Sequence, residues 1–223
     1  MTETIISPGI TRLQFDSNES WLSARKGIGG SDASAVVGLN PYKTNQDLWR
    51  EKTGRKQSPD ISDKPYVIYG HQAEPHLRAL FALDYPEYQV EYYENNMIIN
   101  TDYPWAHASL DGELTDQDRR RGILEIKTSN ILQSMQKEKW RDQIPDNYYI
   151  QVLHYLMVTG YEFAVLVAQL KYDFKGDVMK QTRHYFMERE ELQGDIDYLA
   201  AAEQDFWELI KEDREPDLIL PGL

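Results

Sequence analysis

The chain has 223 residues, 41% of them hydrophobic and 12% aromatic, enough apolar material for one sizeable core and too much for a disordered chain. It has no cysteine, which excludes disulfides, thiolate metal sites, iron–sulfur clusters and thiol nucleophiles. The net charge of −13 argues against indiscriminate affinity for phosphate, but residues 186–223 carry 12 acidic against 3 basic side chains and supply most of that excess.

The N-terminal stretch Met1–Ile10 has neither a basic nor a long apolar region, so secretion is not expected. The most apolar run, Ala164–Leu170, is far shorter than the roughly 18 residues of a membrane span. A cytoplasmic protein with no membrane contact is therefore expected. Without linkers or repeats, residues 1–223 read as a single domain, with an N-terminal helical segment over 1–60 and an acidic C-terminal helix over 188–213.

In chain order, Asn18–Arg25 reads as a short helix entered through Ser17 or Asn18. Ser31 is placed to cap a second short helix ending at Gly38. Thr44 followed by Asp47 starts a third that stops near Gly54. A longer helix is predicted over Tyr66–Leu83, with Pro75 either kinking it or marking its start. Tyr88–Asn100, Ala106–Leu114 and Gly122–Thr128 are rich in β-formers and separated by turn residues, which predicts a three-stranded meander. Asp146–Thr159 returns to helix and stops at Gly160. Phe163–Lys171 and Gln181–Met187 follow as strands around a Lys175–Gly176–Asp177 turn. Glu188–Lys211 closes the chain as an amphipathic helix with Leu192, Ile196, Leu199, Phe206 and Leu209 on one stripe. This order predicts an α/β (α+β) fold around a central mixed sheet flanked by helices.

The chemistry concentrates at Asp111-Gly112 and at Leu124-Glu125-Ile126-Lys127, fourteen residues further on. Residues two apart on a strand share a face, so Glu125 and Lys127 project together, and Leu124 and Ile126 point the other way into a core. A neighbouring strand carrying Asp111 would add a second carboxylate. Two carboxylates and the Ile126 carbonyl make a hard oxygen site suited to Mg²⁺, with Mn²⁺ as a substitute. Lys127 would stand beside an attacking water. An isolated Glu-x-Lys is more often an ordinary surface pair, so its company matters. The basic clusters Arg50–Lys56, Arg119–Arg121 and Lys137–Arg141 read either as solvated faces or as phosphate footprints.

Several further segments accompany that pair: Arg25-Lys26-Gly27-Ile28-Gly29-Gly30-Ser31-Asp32, Gly38-Leu39-Asn40-Pro41-Tyr42, Tyr69-Gly70-His71-Gln72-Ala73-Glu74-Pro75, Ala108-Ser109-Leu110-Asp111-Gly112 and Tyr149-Ile150-Gln151. In this order they resemble the YqaJ-type, lambda-exonuclease-like viral recombinase family of the PD-(D/E)-x-K nuclease superfamily, over roughly residues 21 to 160. The resemblance implies a restriction-endonuclease-like core and a Mg²⁺-dependent exonuclease. Such an enzyme digests one strand of linear double-stranded DNA 5′ to 3′ and leaves 3′ overhangs for single-strand annealing.

It further implies Asp111, Glu125 and the Ile126 carbonyl as metal ligands, Lys127 as the catalytic lysine, and Glu74 as a helix carboxylate acting on the attacking water or on a second metal. Gln151 is implied to position that shell, and Arg25, Ser31 and Ser109 to bind a terminal 5′-phosphate. With Ser31 aligned to that pattern, Arg25 stands one residue out of step. Ser109, two residues before Asp111, is expected on the same strand face. A homotrimer, a phage single-strand annealing partner and a bacterial host cytoplasm also follow from the resemblance. Two other readings remain: an endonuclease or repair nuclease without dependence on a 5′ end, and a DNA-binding scaffold without chemistry.

Overall fold

The computed structural model describes residues 1–131, 138–174 and 177–220. In chain order the elements are β1 (Thr2–Ser7), β2 (Ile10–Gln14), α1 (Asn18–Ala24), β3 (Ile28–Gly29), α2 (Gly30–Val36), α3 (Asn45–Lys52) and α4 (Pro65–Asp84). There follow β4 (Gln89–Glu91), β5 (Asn96–Asn100), β6 (Ala106–Ala108), β7 (Gly112–Thr115), β8 (Arg121–Ile131), α5 (Asp146–Thr159), β9 (Phe163–Phe174), β10 (Asp177–Glu188) and α6 (Arg189–Lys211). The fold is α+β, as the order of elements predicts. No helix among the described residues is long and apolar enough to cross a membrane.

Local chemistry sets most boundaries. Ser17 caps α1 by accepting the Ser20 N–H, and Thr44 caps α3 reciprocally with Asp47. Gly160, in the left-handed region at φ 67°, ends α5. α4 begins with Pro65 at its first position and continues through Pro75, whose missing N–H falls opposite the exposed residue His71. Pro75 thus neither starts nor ends the helix.

Four expectations are corrected. Residues 1–60 are not helical from their start: β1 and β2 form an antiparallel hairpin through Gly9, at φ 80°. Ser31 does not cap α2; Gly29 is the cap residue and Ser31 lies one position inside the helix, exposed. The meander does not exist as one unit. Its strands split at Asn95 (φ 49°) and again between Ala108 and Gly112, and the pieces alternate between two sheets. One sheet has the order β1-β2-β5-β6-β3 and the other β10-β9-β8-β7-β4. Finally, there is no single core side of β8. Leu124 and Ile126 pack with Leu77 and Phe81 of α4, whereas Ile123 packs on the opposite side in the cluster that contains Val152, Leu153 and Leu156 of α5. The predicted turn residues Lys175 and Gly176, and the cation Lys137, lie outside the described residues.

α5 is the central helix, with every residue from Ile150 to Thr159 buried. It contacts strands of both sheets as well as α2 and α6. Ile196, Leu199 and Phe206 of the acidic helix α6 belong to the same core, so its charged residues lie on the remaining faces. β8 runs antiparallel to β7, pairing Leu124 with Gly112, and parallel to β9, pairing Glu125 with Leu166. Pairing with β7 stops at Gly112, and that leaves the edge of β8 beyond Leu124 open to the residues just ahead of β7.

Candidate active site

Asp111 fills that open edge. Its Oδ2 accepts the Ile126 N–H at 2.8 Å. On an extended strand a residue's N–H and C=O point to the same edge, so the Ile126 carbonyl faces Asp111 too. Glu125, only 1% exposed, projects from β8 toward α5. Its Oε1 accepts from Gln151 Nε2 at 2.9 Å and pairs with Lys127 Nζ at 2.6 Å. Its Oε2 is buried with no hydrogen-bond partner. Gln151 Nε2 also donates to the Tyr155 hydroxyl at 2.9 Å, which fixes its amide between α5 and β8. Gly30 at the start of α2 lies under this pair. A Cβ there would sit 2.4 Å from the Tyr155 ring and 3.0 Å from Gln151 Cγ, so only glycine admits the close approach.

Glu74 reaches the same locality from α4, where Arg78, one turn on, pairs with it at 2.5 Å. The Arg78 guanidinium lies over the Tyr92 ring at 3.7 Å. Burial and the Asp111 charge push the Glu74 carboxyl up to about 7, against the pull of Arg78. Burial and Asp111 push Glu125 up to about 8, and burial raises Asp111 as well. Burial opposes the charge on Lys127, yet Glu125 and Asp111 hold its pKa above the usual lysine value. The carboxylates are crowded into a dry place where they repel one another, with one ammonium to compensate.

Five of the expected residues therefore converge: Glu74, Asp111, Glu125, Lys127 and Gln151. No group of three or more His, Asp or Glu side chains among the described residues is arranged to hold an ion unaided. The candidate donors are instead two carboxylates and a backbone carbonyl. An unpartnered buried oxygen on Glu125 and mutually repelling carboxylates are what a hard divalent cation would satisfy. The residues fit Mg²⁺ or Mn²⁺.

The expected phosphate-binding trio is arranged differently. Arg25 lies over the Trp21 ring at 4.5 Å, and Trp21 Nε1 donates to Ser109 Oγ at 3.3 Å. Arg25 and Ser109 thus meet on one indole. The Ser109 hydroxyl donates to the Asn96 carbonyl at 3.0 Å. Ser109 is not on a strand with Asp111, because both lie in the link between β6 and β7. No hydrogen bond among the described residues joins Ser31 to Arg25 or Ser109. The Gly29 N–H points to the Asp32 carboxylate at 3.3 Å, which Lys52 neutralises at 2.7 Å. The start of α2 is thus occupied by the chain's own anion.

Sequence reasoning missed Trp21, Arg78, Tyr92 and Tyr155. Arg78 had a signal, four residues after Glu74 on one helix. Trp21 had the same kind of signal toward Arg25, four residues on, but its link to Ser109 and that of Tyr92 to Arg78 join residues distant in sequence.

Residues 20–162 match the model of the YqaJ-like viral recombinase domain. The uncharacterised protein YqaJ of Bacillus subtilis (strain 168) is 34% identical over a 212-position alignment that covers 86% of this chain and 56% of that protein. The chain therefore spans little more than half the length of this curated relative. Among solved structures, the alkaline exonuclease LHK-Exo from Laribacter hongkongensis matches with a TM-score of 0.59 at 18% identity, over 87% of this chain and 95% of that one. A phage-related exonuclease from Haemophilus somnus 129PT matches at 0.54 and 14%, over 84% and 96%. At these identities the two structures establish a shared fold.

Proposed function

We propose that this chain, which belongs to the YqaJ-like viral recombinase family, is a Mg²⁺-dependent exonuclease that digests one strand of linear duplex DNA from the 5′ end. The observation that carries this reading is the buried cluster of Asp111, Glu125, Lys127 and Gln151, with Glu125 Oε2 left unpartnered. Asp111, Glu125 and the Ile126 carbonyl would hold the ion. When bound, it would supply Lewis-acid stabilisation of the charge on the phosphoryl oxygens and lower the pKa of an attacking water. Gln151 holds the Glu125 carboxylate in place from α5. Lys127, kept protonated by its neighbours, presents an ammonium to the phosphate as charge builds there. Glu74, balanced near neutrality by burial, Asp111 and Arg78, is suited to take up a proton. The likeness to two exonuclease structures supports a nuclease reading through the fold they share with this chain.

Arg25 and Ser109, brought together by Trp21, support recognition of a 5′-phosphate, with Ser31 as the third expected contact. A second reading, a nuclease without end dependence, is favoured by the exposed position of Ser31 and by Asp32 occupying the start of α2. One assay separates them. End-labelled linear duplex is expected to be degraded with Mg²⁺ and not with chelator, while closed circular duplex survives. Phosphorylated 5′ ends should be degraded faster than hydroxyl ends, with the preference weakened roughly ten- to a hundredfold in Arg25→Ala, the loss of one charged hydrogen bond. Cleavage of closed circles, or equal rates on both ends, would establish the second reading. No cleavage at all would leave the non-catalytic scaffold.

The 3′ overhangs would serve recombination with a single-strand annealing protein, in a bacterial host cytoplasm. A homotrimer is part of the same reading. The mass by light scattering should be three times that of the chain, and a monomer at working concentration would remove the ring without removing the nuclease.

A further inference from the structure

The basic clusters that stand out in the sequence are largely neutralised within the chain. Arg50 pairs with Glu215, Arg55 with Asp213, Lys56 with Asp47 and Arg120 with Glu188. The acidic C-terminal segment supplies three of these four partners. Lys171 and Lys180 differ. They stand directly opposite each other in the antiparallel pair of β9 and β10, and among the described residues neither is paired with a carboxylate. Like charges at facing positions of a sheet destabilise it. Here both ammonium groups lie over one aromatic ring, that of Tyr69 on α4, with Nζ 3.3 Å from the centroid for Lys171 and 5.7 Å for Lys180. The Tyr69 hydroxyl donates to Gln169 Oε1 at 2.5 Å and so fixes the ring. Burial and the neighbouring Lys180 depress the Lys171 pKa, as expected where two cations share one place.

The position of this pair gives it meaning. Tyr69 lies five residues before Glu74 on the same helix. Gln169 pairs with Thr128, the residue after Lys127, and Lys171 pairs with Asn130. The pair therefore lies on the α4 face of the sheet, about 10 Å further along β8 than Lys127, whose side chain projects from the opposite face, and it approaches the site along α4, the helix that carries Glu74.

We infer that Lys171 and Lys180, seated on Tyr69, form a phosphate-binding surface for the DNA backbone on the α4 face of the sheet, beside the helix that carries Glu74 of the candidate active site. The inference rests on the nuclease reading and extends it to a surface that the sequence motifs do not include. A phosphodiester oxygen between the two ammonium groups would relieve their repulsion and supply the acceptor that no described carboxylate provides. Ammonium groups act as point charges and read no base, so the contact is independent of sequence, as digestion along a strand requires. An acidic protein is a poorer occupant, because a chain of net charge −13 repels it at longer range.

The test is fluorescence anisotropy of a labelled linear duplex across a salt series, in chelator so that no strand is cut. In the double variant Lys171→Gln, Lys180→Gln, the slope of log affinity against log salt should be shallower than wild type by about 1.8, the loss of two phosphate contacts. The double variant Lys171→Arg, Lys180→Arg should keep the wild-type slope. Removing two repelling charges should leave the melting temperature unchanged or higher. Wild-type binding with an unchanged slope in the Gln variant overturns this surface and leaves the nuclease reading standing. Absence of DNA binding by the wild-type protein at any salt overturns both.

Discussion

Glu125→Gln and Asp111→Ala should each reduce DNA digestion by at least about 10²–10³-fold, the scale on which removal of one preorganised charge-stabilising group acts. Gln is nearly isosteric with Glu and keeps a carbonyl for the Gln151 amide, so the loss would reflect charge and not folding. The pH dependence of stability provides an independent readout without metal. Glu125 in the folded protein is raised to about 8 and Glu74 to about 7, both above ordinary carboxylate values. The folded state therefore holds protons that the unfolded state has released, and stability falls as pH rises from about 4.5 through 8. Metal-free wild type should lose melting temperature over that range, and Glu125→Gln should lose less. Adding Mg²⁺ should restore the wild-type loss, since an ion that binds only the folded state stabilises it. Melting curves of wild type and variant, with Mg²⁺ and with chelator from pH 5 to pH 8.5, check this. Wild-type digestion rates in either variant would remove the active-site assignment.

The second large effect concerns stability. His154 of α5 and Glu203 of α6 are both fully buried, with Nδ1 and Oε1 2.7 Å apart, and His154 Nε2 meets the His107 carbonyl at 3.0 Å. This bridge ties the acidic helix to the central helix and to the sheet of the N-terminal hairpin. Removing one member of a buried pair leaves the other uncompensated, at a cost of about 3–5 kcal/mol. Glu203→Ala should therefore lower the melting temperature by roughly 6–20 °C, at the 2–4 °C per kcal/mol of a domain of this size. Burial opposes charge on the imidazole, but Glu203 and the His107 carbonyl hold the His154 pKa above its ordinary value. The pair's charged contribution is complete below about 6.5 and is lost as pH rises through the folded pKa. The gap between wild type and Glu203→Ala should accordingly be widest near pH 5.5 and shrink toward pH 9. A gap of less than about 1 kcal/mol at pH 5.5 by denaturant titration would show that the bridge is not a stabilising element.

The helices and most of the candidate site were legible because their signals are local. Capping at Ser17 and Thr44, the stop at Gly160 and the stripe of α6 depend on residues within a turn or two of one another. The placement of Glu125 and Lys127 on one face follows from strand geometry alone. The division of the predicted meander into two sheets was not legible. Alternation of side chains tells which face a residue takes but not which strand will lie beside it, and that depends on pairings such as Gly112 with Leu124 or Ile98 with Ala108.

The same limit governs the chemistry. Sequence by itself determined the residue types of the candidate site and the shared face of Glu125 and Lys127. Tertiary structure decided that Asp111 would occupy the edge of β8 where β7 stops, that Trp21 would join Arg25 to Ser109, and that Arg50, Arg55 and Arg120 would be neutralised by the C-terminal segment. It also decided that Lys171 and Lys180 would face each other over Tyr69. A charge acts over only about 10 Å in solution of ordinary salt. Whether a lysine is free to meet a phosphate therefore depends on which carboxylates the fold brings that close, and the order of residues along the chain does not contain that distance.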